Sequence, residues 1–330
     1  MNELLLFATK RLTEKQRRNF VKDMGLPVSV FIDPKVFLFQ LNRTNFLYNG
    51  IEKLNLLKKE YENLGSYEAV INQFDSALKR IVNDISSNLE YQQFCIENFE
   101  HLSRVENKAK IYHPDNDQSN FISIDLKQAN FQALRWVDPS LVNNHSSYKE
   151  LLSEYTNSEY VASSKKMRQI IFGNLNPQRQ QRIQQHIMSE LLNAIAEEGM
   201  PLHDAMLASA DELIVKYTPE IELQVNAAIS KLKKQNDKNI NLQFHVVPFK
   251  LHCLPGVGHE AYYCKTKIDG KNLLSLHCVP SQLVCETLCY LKGESPMPGD
   301  MAFEVDGRIA SYLNPLNFTK KLDKKMGLDF

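Results

Sequence analysis

Ile122-Ser-Ile-Asp-Leu-Lys-Gln-Ala-Asn-Phe131 is the stretch on which the reading of this chain turns. Ile122, Ile124 and Leu126 alternate with Ser123 and Asp125, the two-residue period of a half-buried strand. The polar run at 114–120, Pro-Asp-Asn-Asp-Gln-Ser-Asn, is a turn, so the strand follows it and ends near Asp125. A carboxylate at a strand end is displayed on an open sheet edge and loses little freedom when it takes a ligand.

Two other segments answer this one. Residues 206–217, Met-Leu-Ala-Ser-Ala-Asp-Glu-Leu-Ile-Val-Lys-Tyr, read as two strands joined by a tight turn with Asp211 and Glu212 at its tip. Between the acids lies Lys-Lys-Met-Arg-Gln-Ile-Ile-Phe-Gly at 165–173. There Lys165, Arg168 and Phe172 fall on one helical face by three- and four-residue spacing. Carboxylates from two neighbouring strands can hold two Mg²⁺ ions about 3.5–4 Å apart, one lowering the pKa of an attacking hydroxyl, the other steadying a triphosphate. Asp125 and Asp211 are the natural metal pair. A cation on the helix can grip phosphates, an aromatic ring one turn later can lie against sugar and base, and Gly173 lets another group approach closely.

Composition limits the alternatives. The chain has 330 residues, 43% of them hydrophobic, enough for a large core in two or three subdomains. Lys and Arg number 39, as do Asp and Glu, so a global basic footprint for nucleic acid is absent and any such surface is local. Candidates are Lys10, Arg11, Lys15, Arg17, Arg18 and Lys22; Lys165, Lys166, Arg168, Arg179 and Arg182; Lys231, Lys233 and Lys234; and Lys320, Lys321, Lys324 and Lys325. No apolar run has membrane-spanning length and no signal peptide is visible, which points to a cytoplasmic or nucleoplasmic protein without a membrane partner. Six Cys fit a reducing compartment. Cys253, Cys264, Cys278, Cys285 and Cys289 crowd near His252, His259 and His277, but no Cys-x-x-Cys pair occurs, and Cys285 and Cys289 read as two small thiols on one helix face.

Periodicity outlines the rest. Residues 12–24 form a helix with a Thr cap, and 66–85 form a long amphipathic helix. Val28–Ile32, between Pro27 and Pro34, reads as a short strand. Helices follow from Ser163, over 178–198 and over 219–234. A strand covers 244–254, a hairpin 261–276 turns at Asp269-Gly270, a helix covers 280–292 and a strand 301–305. His203-Asp204 after Pro201 is a rival acidic site that reads as a helix cap.

The three opening segments, in this order, resemble the family-A DNA polymerases. Asp-Leu-Lys-Gln-Ala-Asn-Phe at 125–131 is similar to that family's first palm motif, Asp-Tyr-Ser-Gln-Ile-Glu-Leu. Arg-Gln-Ile-Ile-Phe-Gly at 168–173 resembles the Lys-x-x-x-Phe-Gly of its fingers helix, and Asp-Glu-Leu-Ile-Val at 211–215 its His-Asp-Glu-Leu-Val turn. The likeness covers roughly residues 120–250. It implies Asp125 and Asp211 as catalytic metal ligands, Glu212 as an auxiliary acid near the primer end, and Gln128 as a nucleotide-side residue of the first motif. It implies Lys165, Lys166 and Arg168 at the phosphates, Phe172 and Gly173 beside the sugar, and Asn130 at the position that excludes a 2′-hydroxyl. The chain departs from the pattern at Ala210, where the family has His, at Ser164, where it has Arg, and at Asn176, where it has Tyr. Few residues separate Gly173 from Asp211, so the fingers are reduced, and nothing resembles a proofreading exonuclease.

The expectation is therefore an α+β, palm-type polymerase fold with an antiparallel sheet. Residues 1–110 would be a helical, thumb-like part, 111–250 a palm with short fingers, and 251–330 a β-rich part of open role. It would extend a primer on a nucleic-acid template with nucleoside triphosphates and two Mg²⁺ ions, beside other replication proteins, as suits a virus or mobile element. The alternatives are a catalytically silent palm serving as replication scaffold, and a template-independent nucleotidyltransferase or primase.

Overall fold

In the computed structural model, residues 2–235, 242–255 and 261–312 are described. The side chain of Lys234, together with His259, Lys320, Lys321, Lys324 and Lys325, lies outside the described residues. Helices and an antiparallel sheet make the chain α+β. Its helices are α1 (Asn2–Lys10), α2 (Glu14–Met24), α3 (Pro34–Arg43), α4 (Asn45–Tyr48), α5 (Gly50–Leu64), α6 (Tyr67–Ser87), α7 (Leu89–Ile96), α8 (Ala129–Val137), α9 (Tyr148–Ser153), α10 (Glu159–Ser163), α11 (Lys165–Gly173), α12 (Pro177–Glu197), α13 (Pro219–Gln235) and α14 (Val284–Lys292). Its strands are β1 (Lys108–Ala109), β2 (Asn120–Leu126), β3 (Ala205–Ala208), β4 (Glu212–Lys216), β5 (Phe244–Pro255), β6 (Ala261–Thr266), β7 (Leu273–His277), β8 (Ala302–Val305) and β9 (Arg308–Ser311).

Two compact units interleave along the chain. The first takes residues 1–76, 158–168 and 252–330; the second takes 77–157 and 169–251. Compaction thus follows a different division from the three consecutive segments expected at 1–110, 111–250 and 251–330. The long helix α6 and the strand β5 each cross a unit boundary.

Local chemistry in the first unit is explicit. Thr13 and Gln16 form a capping box at the start of α2, and Gly25 ends that helix at φ 64°. The strand expected at 28–32 does not form. Gln40 Oε1 accepts the Ser29 and Val30 amides at 3.0 and 3.2 Å, and Glu304 Oε2 accepts those of Phe31 and Ile32 at 2.9 and 3.1 Å. Side chains have captured the donors that a strand ladder needs. Two of the candidate surface cations are taken up in the same knot. Arg17 is buried and donates to the carbonyls of Phe31 and Ala8, and Arg18 pairs with Glu304. In the hairpin of β6 and β7, Gly270 takes φ 76° as the Asp-Gly turn requires, and Asp269 accepts the Lys271 amide at 2.9 Å. Cys285 and Cys289 are both buried on α14. Burial and the neighbouring Asp300 push the Cys289 thiol up to about 12.

The second unit carries the antiparallel order β1-β3-β4-β2-β5. Ile122, Ile124, Leu126, Leu213 and Val215 are buried, as their alternation demands. α12 packs against α8, α13 and β4, burying Ile183, Ile187, Leu191 and Ile195. The helix expected from Ser163 is two helices. Ser164 separates α10 from α11 and caps the latter, its Oγ accepting the Met167 amide at 3.1 Å.

Candidate functional site

Backbone pairing in the second unit brings the two acidic segments together. In the β2–β4 ladder, Asp125 is directly opposite Glu212, and the Leu126 amide donates to the Asp211 carbonyl at 2.8 Å. Residues directly opposite in an antiparallel pair share a face, so Asp125 and Glu212 project from the same side of the sheet. Asp211 occupies the turn between β3 and β4, and is exposed. On the other flank of β2, Asp125 is paired with His245 of β5, which is exposed too. Glu212, Asp125 and His245 therefore form one row across three strands at one end of the sheet.

Serine hydroxyls hold the acids in place. Ser123 Oγ donates to Glu212 Oε1 at 2.6 Å, a short charge-assisted bond. Ser209 Oγ stands 3.2 Å from Asp211 Oδ1 and accepts the Glu212 amide at 3.0 Å. The turn is therefore fixed by its own side chains. Its donors are carboxylate oxygens, the hard ligands that Mg²⁺ takes, and the chemistry of the set fits that ion. Among the described residues no three His, Cys, Asp or Glu side chains are gathered as a metal cage. Pairing sets the acids side by side without closing them on an ion.

The nucleotide-side candidates of the second unit have definite positions. Gln128 links β2 to α8 in the left-handed region, φ 55°, and its Oε1 accepts the Tyr148 amide at 3.1 Å. Asn130 lies in α8 and its Oδ1 accepts from Gln184 Nε2 at 2.6 Å. Phe131, the next residue on the same helix, is buried. Phe172 is 1% exposed, with its ring centroid 5.9 Å from that of Tyr148. It does not share an exposed cation face with Lys165 and Arg168, because burying an aromatic ring contributes about 2–3 kcal/mol and α11 turns it inward. Gly173 is exposed, and a Cβ added there would meet nothing within 4 Å.

The expected phosphate cations sit in the first unit. Lys165 and Lys166 are exposed and Arg168 is half-buried. Lys166 is paired with buried Asp23 at 2.9 Å, and the Lys165 stem lies over Gly25. His203 and Asp204 form part of a single 3₁₀ turn, Leu202–Asp204, and Asp204 pairs with Lys216 at 3.0 Å. Among the described residues no helix is long and apolar enough to cross a membrane.

Sequence reasoning missed Ser123 and His245. Ser123 was within reach, because a residue two before Asp125 on a strand shares its face. His245 was not, because only pairing names the neighbour of a strand. The chain matches no protein-family model, no curated protein and no solved structure.

Proposed function

We propose that this chain is a palm-type nucleotidyltransferase that extends a nucleic-acid primer on a template with nucleoside triphosphates. One observation carries the reading: the β2–β4 register sets Asp125 against Glu212 and next to Asp211, although the two segments are far apart in sequence. Negative charge gathered at one exposed sheet end suits a reaction in which a hydroxyl attacks a triphosphate.

Asp125 and Asp211, with Glu212 beside them, would hold the ions, and Mg²⁺ when bound supplies Lewis-acid activation of the attacking hydroxyl and charge neutralisation on the triphosphate. The chain's own residues position. Ser123 fixes the Glu212 carboxylate, Ser209 fixes the turn that carries Asp211, and pairing with Glu212 holds the Asp125 backbone in register.

Primer extension on a defined template, with Mg²⁺ and a single matched deoxynucleotide, tests the reading. Asp125→Asn and Asp211→Asn should each lower extension by about 10²-fold or more while primer–template binding is retained. Binding with no extension in the unaltered chain would mark a silent scaffold, and extension indifferent to template would mark a template-independent transferase. Loss of folding in both variants would mean that the carboxylates are structural.

A further inference from the structure

Away from the acids, the second unit contains an open cleft of about 680 Å³ lined by Ile96, Phe99, Arg104, Asn176, Arg179 and Arg182, with Glu97 and Glu100 among its further walls. Its walls are the end of α7, the connection after it and the first turns of α12. None of Asp125, Asp211 or Glu212 lines it. Its volume is in the range of small-molecule sites, about 300–1,000 Å³.

Three features define its chemistry. The first is an excess of positive charge, with three arginines against two glutamates in the lining. Arg179 Nη1 donates to the carbonyls of Phe94 and Glu97 at 3.1 and 2.5 Å, and Arg182 donates to those of Ser103 and Leu102. Carbonyls orient a guanidinium but do not cancel its charge. Among the described residues neither arginine forms an ion pair, and Arg182 Nε is buried without a hydrogen-bond partner. Burial and the field of Arg104 both push the Arg182 pKa down, as expected of like charges held together with no anion between them.

The second feature is the start of α12. Asn176, its cap residue, is left-handed at φ 57° and makes no side-chain cap bond, so the positive end of a 21-residue helix opens on the cleft. The third is an apolar platform. Ile96 is 75% exposed, and the half-buried Arg179 guanidinium lies 5.4 Å from the centroid of the buried Phe99 ring, so the planar group offered to a base is the guanidinium itself. Phosphate affinity at one end, apolar and planar surface at the other, and carboxylates able to accept from base amino groups describe one ligand class.

We propose that this cleft seats one nucleotide of a single-stranded nucleic acid, with its phosphate against Arg104 and Arg182 and its base on Ile96 and the Arg179 guanidinium. The site goes beyond the polymerase reading and stands whether or not the acids catalyse.

Anisotropy of a labelled 12-nucleotide single strand on the full chain tests it. Arg104 is exposed, so Arg104→Glu leaves the fold intact; Arg308→Glu, an exposed charge reversal in the first unit, is the control. Arg104→Glu should weaken binding by about tenfold or more and lower the salt slope by about one, with Arg308→Glu near the unaltered chain. Ile96→Ser, which replaces an exposed apolar side chain, should weaken it by about fivefold or more through lost apolar contact with the base. Equal losses for Arg104→Glu and Arg308→Glu, or none for either, would overturn the seat. A nucleoside monophosphate that binds as tightly as the strand and is lost with Arg104→Glu would make it a free-nucleotide site and overturn the strand. Competition by inorganic phosphate alone at equal concentration would reduce it to an anion site and overturn the base contact.

Discussion

Asp125 of β2 pairs directly with Glu212 of β4, one residue out of step with the Asp125–Asp211 pairing that the sequence suggests. The shared face therefore belongs to Asp125 and Glu212, while Asp211 leads into the strand from the turn. Under the proposed function, Glu212 and not Asp211 would share that face with Asp125.

The Ser123–Glu212 bond, 2.6 Å long, joins a nearly buried hydroxyl, 8% exposed, to a carboxylate. A hydrogen bond to a charged group contributes about 1.5–3 kcal/mol, so Ser123→Ala should lower stability by about that amount in urea unfolding. In a double-mutant cycle with Glu212→Gln the two losses should couple by about 1 kcal/mol. Strict additivity would show that the bond contributes nothing.

Gly173 closes α11 with open space where a Cβ would stand. Among the described residues no neighbouring atom obstructs a methyl group there. Gly173→Ala should raise stability by up to about 1 kcal/mol through helix propensity. If a nucleotide or template base approaches this point, the same variant should raise the apparent KM for nucleotide; unchanged kinetics would assign the glycine no role in binding.

The amide of Asn130 is held by Gln184, itself nearly buried. Asn130 is shorter by a methylene than the acidic gate of the family that the sequence resembles, so rejection of ribonucleotides should be weaker than a full-size gate gives. Gln184→Leu releases the amide and should change the deoxy-to-ribo ratio in the same direction as Asn130→Ala, by about tenfold. Competition between matched nucleotides on one primer reads the ratio; if it stays fixed in both variants, the gate is elsewhere.

His277 on β7 supplies a pH test in the first unit. Burial, and then the neighbouring Lys265, push its imidazole down to about 4, and its Nε2 is 2.8 Å from Ser275 Oγ. The folded value lies below the unfolded one, so between about pH 6.5 and 4 the unfolded chain binds the extra proton. Stability is then fully present above pH 6.5 and is lost as pH falls toward 4, by at most about 3 kcal/mol. Urea midpoints at pH 7 and pH 5 should differ more for the unaltered chain than for His277→Asn. An equal shift in both would place the acid sensitivity on other groups.

Much of the secondary structure was legible because it is written in local periods. The Thr13 cap, the helix α12, the β3–β4 hairpin with its acidic tip and the Asp269-Gly270 turn each follow from a spacing or a turn residue. Val28–Ile32 shows where local reading fails. Its apolar, β-branched composition favours a strand, yet Gln40 and Glu304, the latter far away in sequence, take its amides. Phe172 shows the same limit at the site. Helical spacing set it with Lys165 and Arg168, but burial beside Tyr148 decided its direction.

The sequence by itself determined the α+β character, the strand ending near Asp125, the acidic turn at Asp211 and Glu212, and the order of the segments between them. These are properties of neighbours in the chain, set by backbone sterics, side-chain period and turn chemistry. The tertiary structure alone decided that Glu212 faces Asp125, that His245 flanks it, that Asn130 is tied to Gln184, and that Arg104, Arg179 and Arg182 converge on one cleft. Register and convergence depend on which buried surfaces meet, and no local spacing specifies that.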